Sequence, residues 1–461
     1  MFDRRWQFMN RSWLVTLGFV LILILTACPA NSVPGTPVIV SFSATPSVLS
    51  EPQEIKLEWQ VTGATELEID GGVGAVTPPD KGSKSVYVYG AKTFVLKAKN
   101  AQGEVSKSLR IEAPGPTLSL VETVAGQAGV RGGADGPGSS ATFNYPYGVA
   151  VTKDAGATGG EVIVYIVGLN EKIRYALVGY AGNPVGTAIG KGESGSVDGD
   201  ANTALVRAPQ GIAIGYDSPA YEAYAYWTED DSCVVRKLTA YPLNGNRKAV
   251  TVAGKAYTCG AADGSAAAAR FNRPTGIVAN TRTGEVFVAD TSNYTIRRIY
   301  GDSVSTFAGL AGQPGTADGP GASARFLRPS GIALNRQEEL LVADNTSVRK
   351  ITPDGQVSTL AGKPGEFGYK DGLGSEARFN GASGIAVDEV GNIYVSEDGN
   401  HTIRKITPDG QVSTVAGIAG VTGAADGSLS VATFNRPWGL AYYNKQLFVA
   451  DTYNQTIRRI R

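Results

Sequence analysis

The chain has 461 residues, enough for two or three domains, and its 42% hydrophobic content is ordinary for a folded protein. Its 42 Lys+Arg exactly balance 42 Asp+Glu, which argues against a nucleic-acid partner, since a polyanion normally needs a basic face. Glycine is abundant at 59 residues; with the many Val, Ile, Tyr and Thr it points to short strands and tight turns.

In chain order, Arg4, Arg5 and Arg11 form a basic segment ahead of an apolar run from Trp13 to Leu25. That run falls short of the roughly 20 residues a spanning helix needs. It ends in Leu25-Thr26-Ala27-Cys28, which resembles the lipobox of bacterial lipoproteins. The resemblance implies removal of residues 1–27 as a signal peptide, lipidation of Cys28, and a membrane-anchored, extracytoplasmic protein of the bacterial cell envelope. The alternative is a plain signal peptide or a signal anchor. The processed chain would carry 39 basic against 41 acidic residues. Its other two cysteines, Cys233 and Cys259, are candidates for a disulfide in an oxidising compartment.

Residues 28–36 read as a short tether. From 37 to 113 the pattern is alternating strands: Glu54 to Val61 puts Ile55, Leu57, Trp59 and Val61 on one face and charge on the other. Seven or so short strands here predict a small β-sandwich with Trp59 in its core. The segment looks like a bacterial Ig-like module, a resemblance that implies a spacer or adhesive role. Pro114-Gly115-Pro116 marks a boundary.

Residues 117–461 are repetitive. Thr-x-x-Gly recurs at 123–126, 187–190, 251–254, 306–309, 359–362 and 414–417. An Asp-Gly pair follows each time, led by Asp135, Asp198, Asp263, Asp318, Asp371 and Asp426. Next comes an apolar anchor at Phe143, Val206, Phe271, Phe326, Phe379 or Phe434, and five residues later a Gly opens an apolar strand. A second strand ends on Glu229, Asp290, Asp344, Glu397 or Asp451, with Val167 in the first unit. A third carries Arg174, Arg236, Arg297, Arg349, Arg404 or Arg458. Six units of four strands predict a six-bladed β-propeller. The region opens on an outer-type strand (118–124) and ends on a third-type strand (456–460), so the first strand is expected to complete the last blade and remove an exposed edge. The Pro-x-Gly-Ile-Ala/Val strand, the Val-Ala-Asp-x-x-Asn turn and the Ile-Arg strand closely resemble NHL repeats. The first two units diverge, with insertions near 154–160 and 215–223. The resemblance covers about three quarters of the chain and implies the fold, which hosts unrelated activities.

The carboxylates closing the second strands could form a cation-binding ring. One strand spacing, about 4.8 Å, should however separate them from the channel-lining strand, so turn caps accepting backbone N–H bonds are the favoured reading. The Asp-Gly pairs read as turns within long loops, with a weak calcium site as the alternative. Asn293, Asn345, Asn400 and Asn454 lie in Asn-x-Ser/Thr sequons but read as turn residues, because three of them recur at one repeat position. Gly190 to Gly195 matches a dinucleotide fingerprint without a surrounding βαβ unit. The one histidine, His401, shares a turn position with Tyr294 and Gln455, so it does not signal a catalytic triad. No catalytic residue, metal ligand or cofactor is assigned.

Position x of Pro-x-Gly lies at the channel rim and reads Tyr147, Gln210, Thr275, Ser330, Ser383 and Trp438. Ring closure would bring Trp438 beside Tyr147, with Arg436 and Tyr145 nearby, and this group is the candidate ligand site. The expectation is an all-β, lipid-anchored monomer: an Ig-like module followed by a propeller that binds a protein, peptide or glycan. The alternatives are a calcium-dependent lactonase-type or lyase-type propeller enzyme, against which the apolar inner strands argue, and a purely structural envelope component.

Overall fold

The computed structural model describes residues 35–154, 161–217, 222–239 and 247–461. Cys28, the leader, most of the tether and much of the two insertions lie outside the described residues. The described chain is all-β apart from four 3-10 turns of three residues.

Strands β1 (Val38–Thr45), β2 (Gln53–Thr62), β3 (Glu66–Ile69), β4 (Gly74–Ala75), β5 (Lys81–Val88), β6 (Lys92–Asn100) and β7 (Gly103–Ile111) form an N-terminal module. It has two sheets, β1-β2-β5 and β4-β3-β6-β7. The alternation read in 54–61 holds: Ile55, Leu57, Trp59 and Val61 are buried together with Phe94 and Leu96 from the facing sheet. A period of two puts one residue set on one face, and burial of that set fixes the register.

From Leu120 onward the chain forms six sheets. The third shows the plan: Pro274–Ala279, Val286–Asp290, Thr295–Tyr300 and Ser303–Gly309 pair in sequence from inside to outside. Four strands per unit is an undercount. In sheets two to six a two-residue fifth strand, such as Gly264–Ser265, pairs outside the fourth. It is formed directly after the Asp of each Asp-Gly pair, so these segments are sheet edges and not turns alone. The inner strands (Pro146–Lys153, Pro209–Asp217, Pro274–Ala279, Pro329–Leu334, Ala382–Val387, Pro437–Tyr443) neighbour one another in a closed circuit. The circuit is sealed by β8 (Leu120–Ala125), which pairs with the last strand, Thr456–Ile460, 331 positions after β8 ends. Hydrophobic clusters fill the spaces between successive sheets; one joins Val124 and Phe143 near the start of the repeats to Phe448 and Ile457 at the end.

The glycine of Pro-x-Gly has a steric cause. A Cβ on Gly276 would meet the carbonyl oxygen of Ser330 in the next sheet at 2.0 Å, and at the other five positions it would meet the corresponding carbonyl at 2.0 to 2.5 Å. Only glycine lets six inner strands crowd the axis this tightly. In every inner strand the pairing register also shifts at x-Gly, a bulge that turns residue x toward the axis end. Gly276→Ala should therefore destabilise by about 3 kcal/mol, the upper range for overpacking against a backbone that cannot give. A urea unfolding midpoint unchanged from wild type would remove this steric account.

Candidate functional site

The buried charges lie outside the axis and come first, because they position the loops around it. Arg297 is buried in the third strand of its sheet. Its Nη1 donates to Asp290 Oδ2 at 2.8 Å and to the Arg270 carbonyl, and its Nη2 to Asp263 Oδ1 at 2.6 Å and to the Ala262 carbonyl. Its guanidinium lies 5.1 Å from the Phe271 ring centroid. Asp263 in turn accepts from the Thr306 N–H and hydroxyl. The four most regular motifs of the repeat, Thr-x-x-Gly, Asp-Gly, the Phe anchor and the strand arginine, are thus parts of one clamp. Arg236, Arg349, Arg404 and Arg458 repeat it with Glu229, Asp344, Glu397 and Asp451 as inner partners and Asp198, Asp318, Asp371 and Asp426 as outer ones. In the last sheet Asp426 binds Thr123 of β8, so the clamp also fastens the ring closure.

The second-strand carboxylates do accept turn N–H bonds, as Asp344 does from Leu327 and Arg328. Sequence reasoning missed their arginine partners. Burial pushes the carboxyls of Asp290, Asp344 and Asp451 up to about 6, against the downward pull of Arg297, Arg349 and Arg458 and of the N–H donors. The sequon asparagines Asn293, Asn400 and Asn454 donate to the same carboxylates and to a loop carbonyl, which fixes the turn. Cys233, at a left-handed turn residue, and Cys259 are joined in a disulfide with Cα atoms 5.3 Å apart.

At the axis, the six x-Gly-apolar triplets line a channel of only about 60 Å³, its wall shared between the aliphatic residues Val149, Ile212, Ile277, Ile332, Ile385 and Leu440 and polar groups. On the side where the inner strands begin, it opens into a mouth of about 480 Å³. Tyr147 and Trp438 meet there edge to face, ring centroids 5.6 Å apart and planes at 84°. Gln210, Thr275, Ser330 and Asn345 add polar groups to the mouth. Arg273 and Arg328 also line the mouth. Arg273 pairs with Asp230 at 3.1 Å, and Arg328 lies over the Trp438 ring at 5.6 Å with Asp398 at 3.9 Å. Burial raises the carboxyls of Asp230 and Asp398 while the arginines oppose it.

The other two sequence candidates belong to a second aromatic group beside the mouth. Arg436 lies over Tyr453 at 5.1 Å, and Tyr453 packs edge to face on Tyr145 at 5.1 Å. Neither Arg436 nor Tyr145 lines the mouth cavity itself. His401 is a turn residue whose Nδ1 accepts the Arg436 N–H, and burial with the Arg436 charge lowers its imidazole pKa. Among the described residues, no group of three or more His, Cys, Asp and Glu side chains is placed to hold a metal ion.

Comparison with known proteins agrees on the repeat architecture. Residues 238–441 match the family described as "Alkaline phosphatase PhoX". The chain is 26% identical over 319 residues to the human NHL repeat-containing protein 2, covering 61% of this chain and 43% of that protein. It is 29% identical over 272 residues to the chloroplastic protein SUPPRESSOR OF QUENCHING 1 of Arabidopsis thaliana, covering 43% and 26%. The chain therefore spans less than half the length of these relatives. A Bacteroides thetaiotaomicron protein of unknown function superposes with a TM-score of 0.53 at 20% identity, covering 94% of this chain and 99% of that one. An auxiliary nutrient binding protein of the same organism superposes at 0.55 and 18% identity, covering 92% and 97%. NHL-repeat relatives and propeller-like structural neighbours together support an NHL-type β-propeller.

The clamps differ in one informative place. Arg174 of the first sheet has the outer partner Asp135, but the position that carries the inner carboxylate in the other sheets is Gly168, which pairs with Pro146 as Asp290 pairs with Pro274; the sequence reading places Val167 there, one residue out of register. Arg349→Met should cost about 3–5 kcal/mol, because it strands the buried Asp344 carboxylate. Arg174→Met should cost clearly less. Equal losses in denaturant melts of the two variants would show that the inner carboxylate does not matter.

Proposed function

We propose that this protein is a lipid-anchored, extracytoplasmic binding protein: an Ig-like module carrying a six-bladed NHL-type propeller that takes a protein, peptide or glycan at its mouth. The observation that carries the reading is the mouth itself. A cavity of about 480 Å³ is within the usual range for a ligand site, roughly 300–1,000 Å³. The aromatic pair Tyr147 and Trp438 lines it together with polar groups and two arginines, one of which, Arg328, lies over the Trp438 ring. Aromatic faces suit sugar rings, proline-rich peptides and cations, and Trp, Tyr and Arg dominate binding energy at interfaces. The nutrient-binding description of a structural neighbour agrees in kind. Attachment through Cys28 rests on the lipobox sequence, and the narrowness of the channel favours binding at the mouth over passage through the axis.

A hydrolytic reading has one specific observation in its favour, the match of residues 238–441 to a phosphatase family. The charged groups of the mouth are set against it. Asp230, the one carboxylate lining the mouth among the described residues, is paired with Arg273.

Screening the protein on arrays of glycans and proline-rich peptides identifies the ligand class. For the ligand retained, Trp438→Ala should weaken binding by about 2 kcal/mol, roughly 30-fold, with unfolding unchanged. Unaltered affinity in both Trp438→Ala and Tyr147→Ala would place the site elsewhere. Steady turnover of p-nitrophenyl phosphate would favour the hydrolytic reading instead.

A further inference from the structure

We infer that the N-terminal module is a rigid strut docked on the propeller face opposite the mouth, so that the mouth opens away from the chain's N-terminal attachment. The attachment itself rests on the lipobox reading; the strut does not.

Strand direction settles which face is which. Inner strands begin at the mouth, so the turns after them, and the turns between third and fourth strands, emerge on the opposite face. Among the described residues, Val390, Pro408 and Asp409, which meet the module through turns, come from there. Val390, in the turn after the inner strand Ala382–Val387, is buried and belongs to the module's own hydrophobic core, packed with Val88, Ile111 and Ala113. Gly90 fits so closely that a Cβ would meet the Val390 carbonyl oxygen at 1.9 Å and Pro408 at 3.0 Å. Lys405 Nζ donates to the Pro114 carbonyl at 2.9 Å, and Arg110 bonds Asp409 at 2.9 Å. The last pair is half exposed and adds little. The shared core holds the joint, because displacing the module would expose Val390 and the apolar end of the sandwich together.

The chain enters the module at its other end. Asn100, at the far end of β6, donates from Nδ2 to the Gly35 and Gly63 carbonyls, both at 2.7 Å. Strand β6 runs its nine residues from Lys92 at the joint to Asn100 beside Gly35, roughly 30 Å at 3.3 Å per residue. Entry point, strut, joint face and mouth therefore follow one another in series. A propeller held this way presents Tyr147 and Trp438 to whatever lies beyond the surface, with room for a ligand much larger than the cavity.

Two measurements test this on the full-length lipidated protein. Spin labels at Gln102→Cys and Arg336→Cys should give one narrow distance distribution, and Val390→Asp should broaden it. A broad distribution in the otherwise native protein, or a narrow one that survives Val390→Asp, would overturn the strut. In phosphatidylethanolamine–phosphatidylglycerol vesicles, a dye at Arg336→Cys should transfer energy to a headgroup acceptor more efficiently than a dye at Ser292→Cys on the mouth side. Equal or reversed transfer would overturn the orientation. If the protein does not partition to vesicles at all, the lipid anchor fails, and the distance distribution still decides the strut.

Discussion

The structure depends on an arginine that is taken out of water once per repeat. An isolated buried guanidinium would be prohibitive, so each must be met by carboxylate and carbonyl groups at short range. Arg297 meets this with two carboxylates, two carbonyls and an aromatic face. Those partners come from the second strand, from the loop before the inner strand and from the Asp-Gly edge. One side chain thereby fixes the relation of a sheet to the long loop that wraps it. A buried ion pair is weak evidence for net stability, since well-packed apolar residues often do as well. Its role here is better described as geometric. It admits one placement of the loops, and the loops and turns build the mouth.

The ring follows from the same unit. The clamp in the last sheet takes its outer threonine, Thr123, from the start of the repeat region. Glycine at each axis position then lets neighbouring backbones approach until the channel nearly closes. The consequence is a mouth with a floor. A ligand there meets residue x of five of the six inner strands and cannot pass along the axis without moving the channel wall. Five clamps are alike in their inner partner, while the mouth residues vary from Tyr and Trp to Thr and Ser. Variation is thus concentrated where a ligand would meet it.

Much of the fold was legible in the sequence because its signals are periodic. Alternation in residues 54–61, a Gly at a fixed offset from Phe, and an outer-type strand at the start of the repeats each have one simple structural solution. The fifth edge strand was not legible: two residues carry no period, and Asp-Gly has a ready reading as a turn. The clamp was half legible. Its members were found as separate motifs, but spacing alone does not show that Arg297, Asp290 and Asp263 converge. A signal was present, since the first repeat, with Gly168 in place of the inner carboxylate, still keeps Arg174 and Asp135. At the mouth, Tyr147 and Trp438 could be placed together from the repeat register, because equivalent positions in adjacent blades must be neighbours. Arg436 and Tyr145 could be placed only as nearby, because each is itself a left-handed residue, and both side chains pack on Tyr453 beside the mouth.

The claim on which all of this rests is that clamps and closure make one cooperative ring. Native-state hydrogen exchange, read on peptides covering 120–125 and 456–461, tests it most directly. The account predicts that their amides exchange together with those of the third and fourth strands of sheets three to five, through a single opening of high free energy. Rapid exchange of 120–125 alone, with the remaining strands protected, would show that the first strand is an optional edge and would contradict the account.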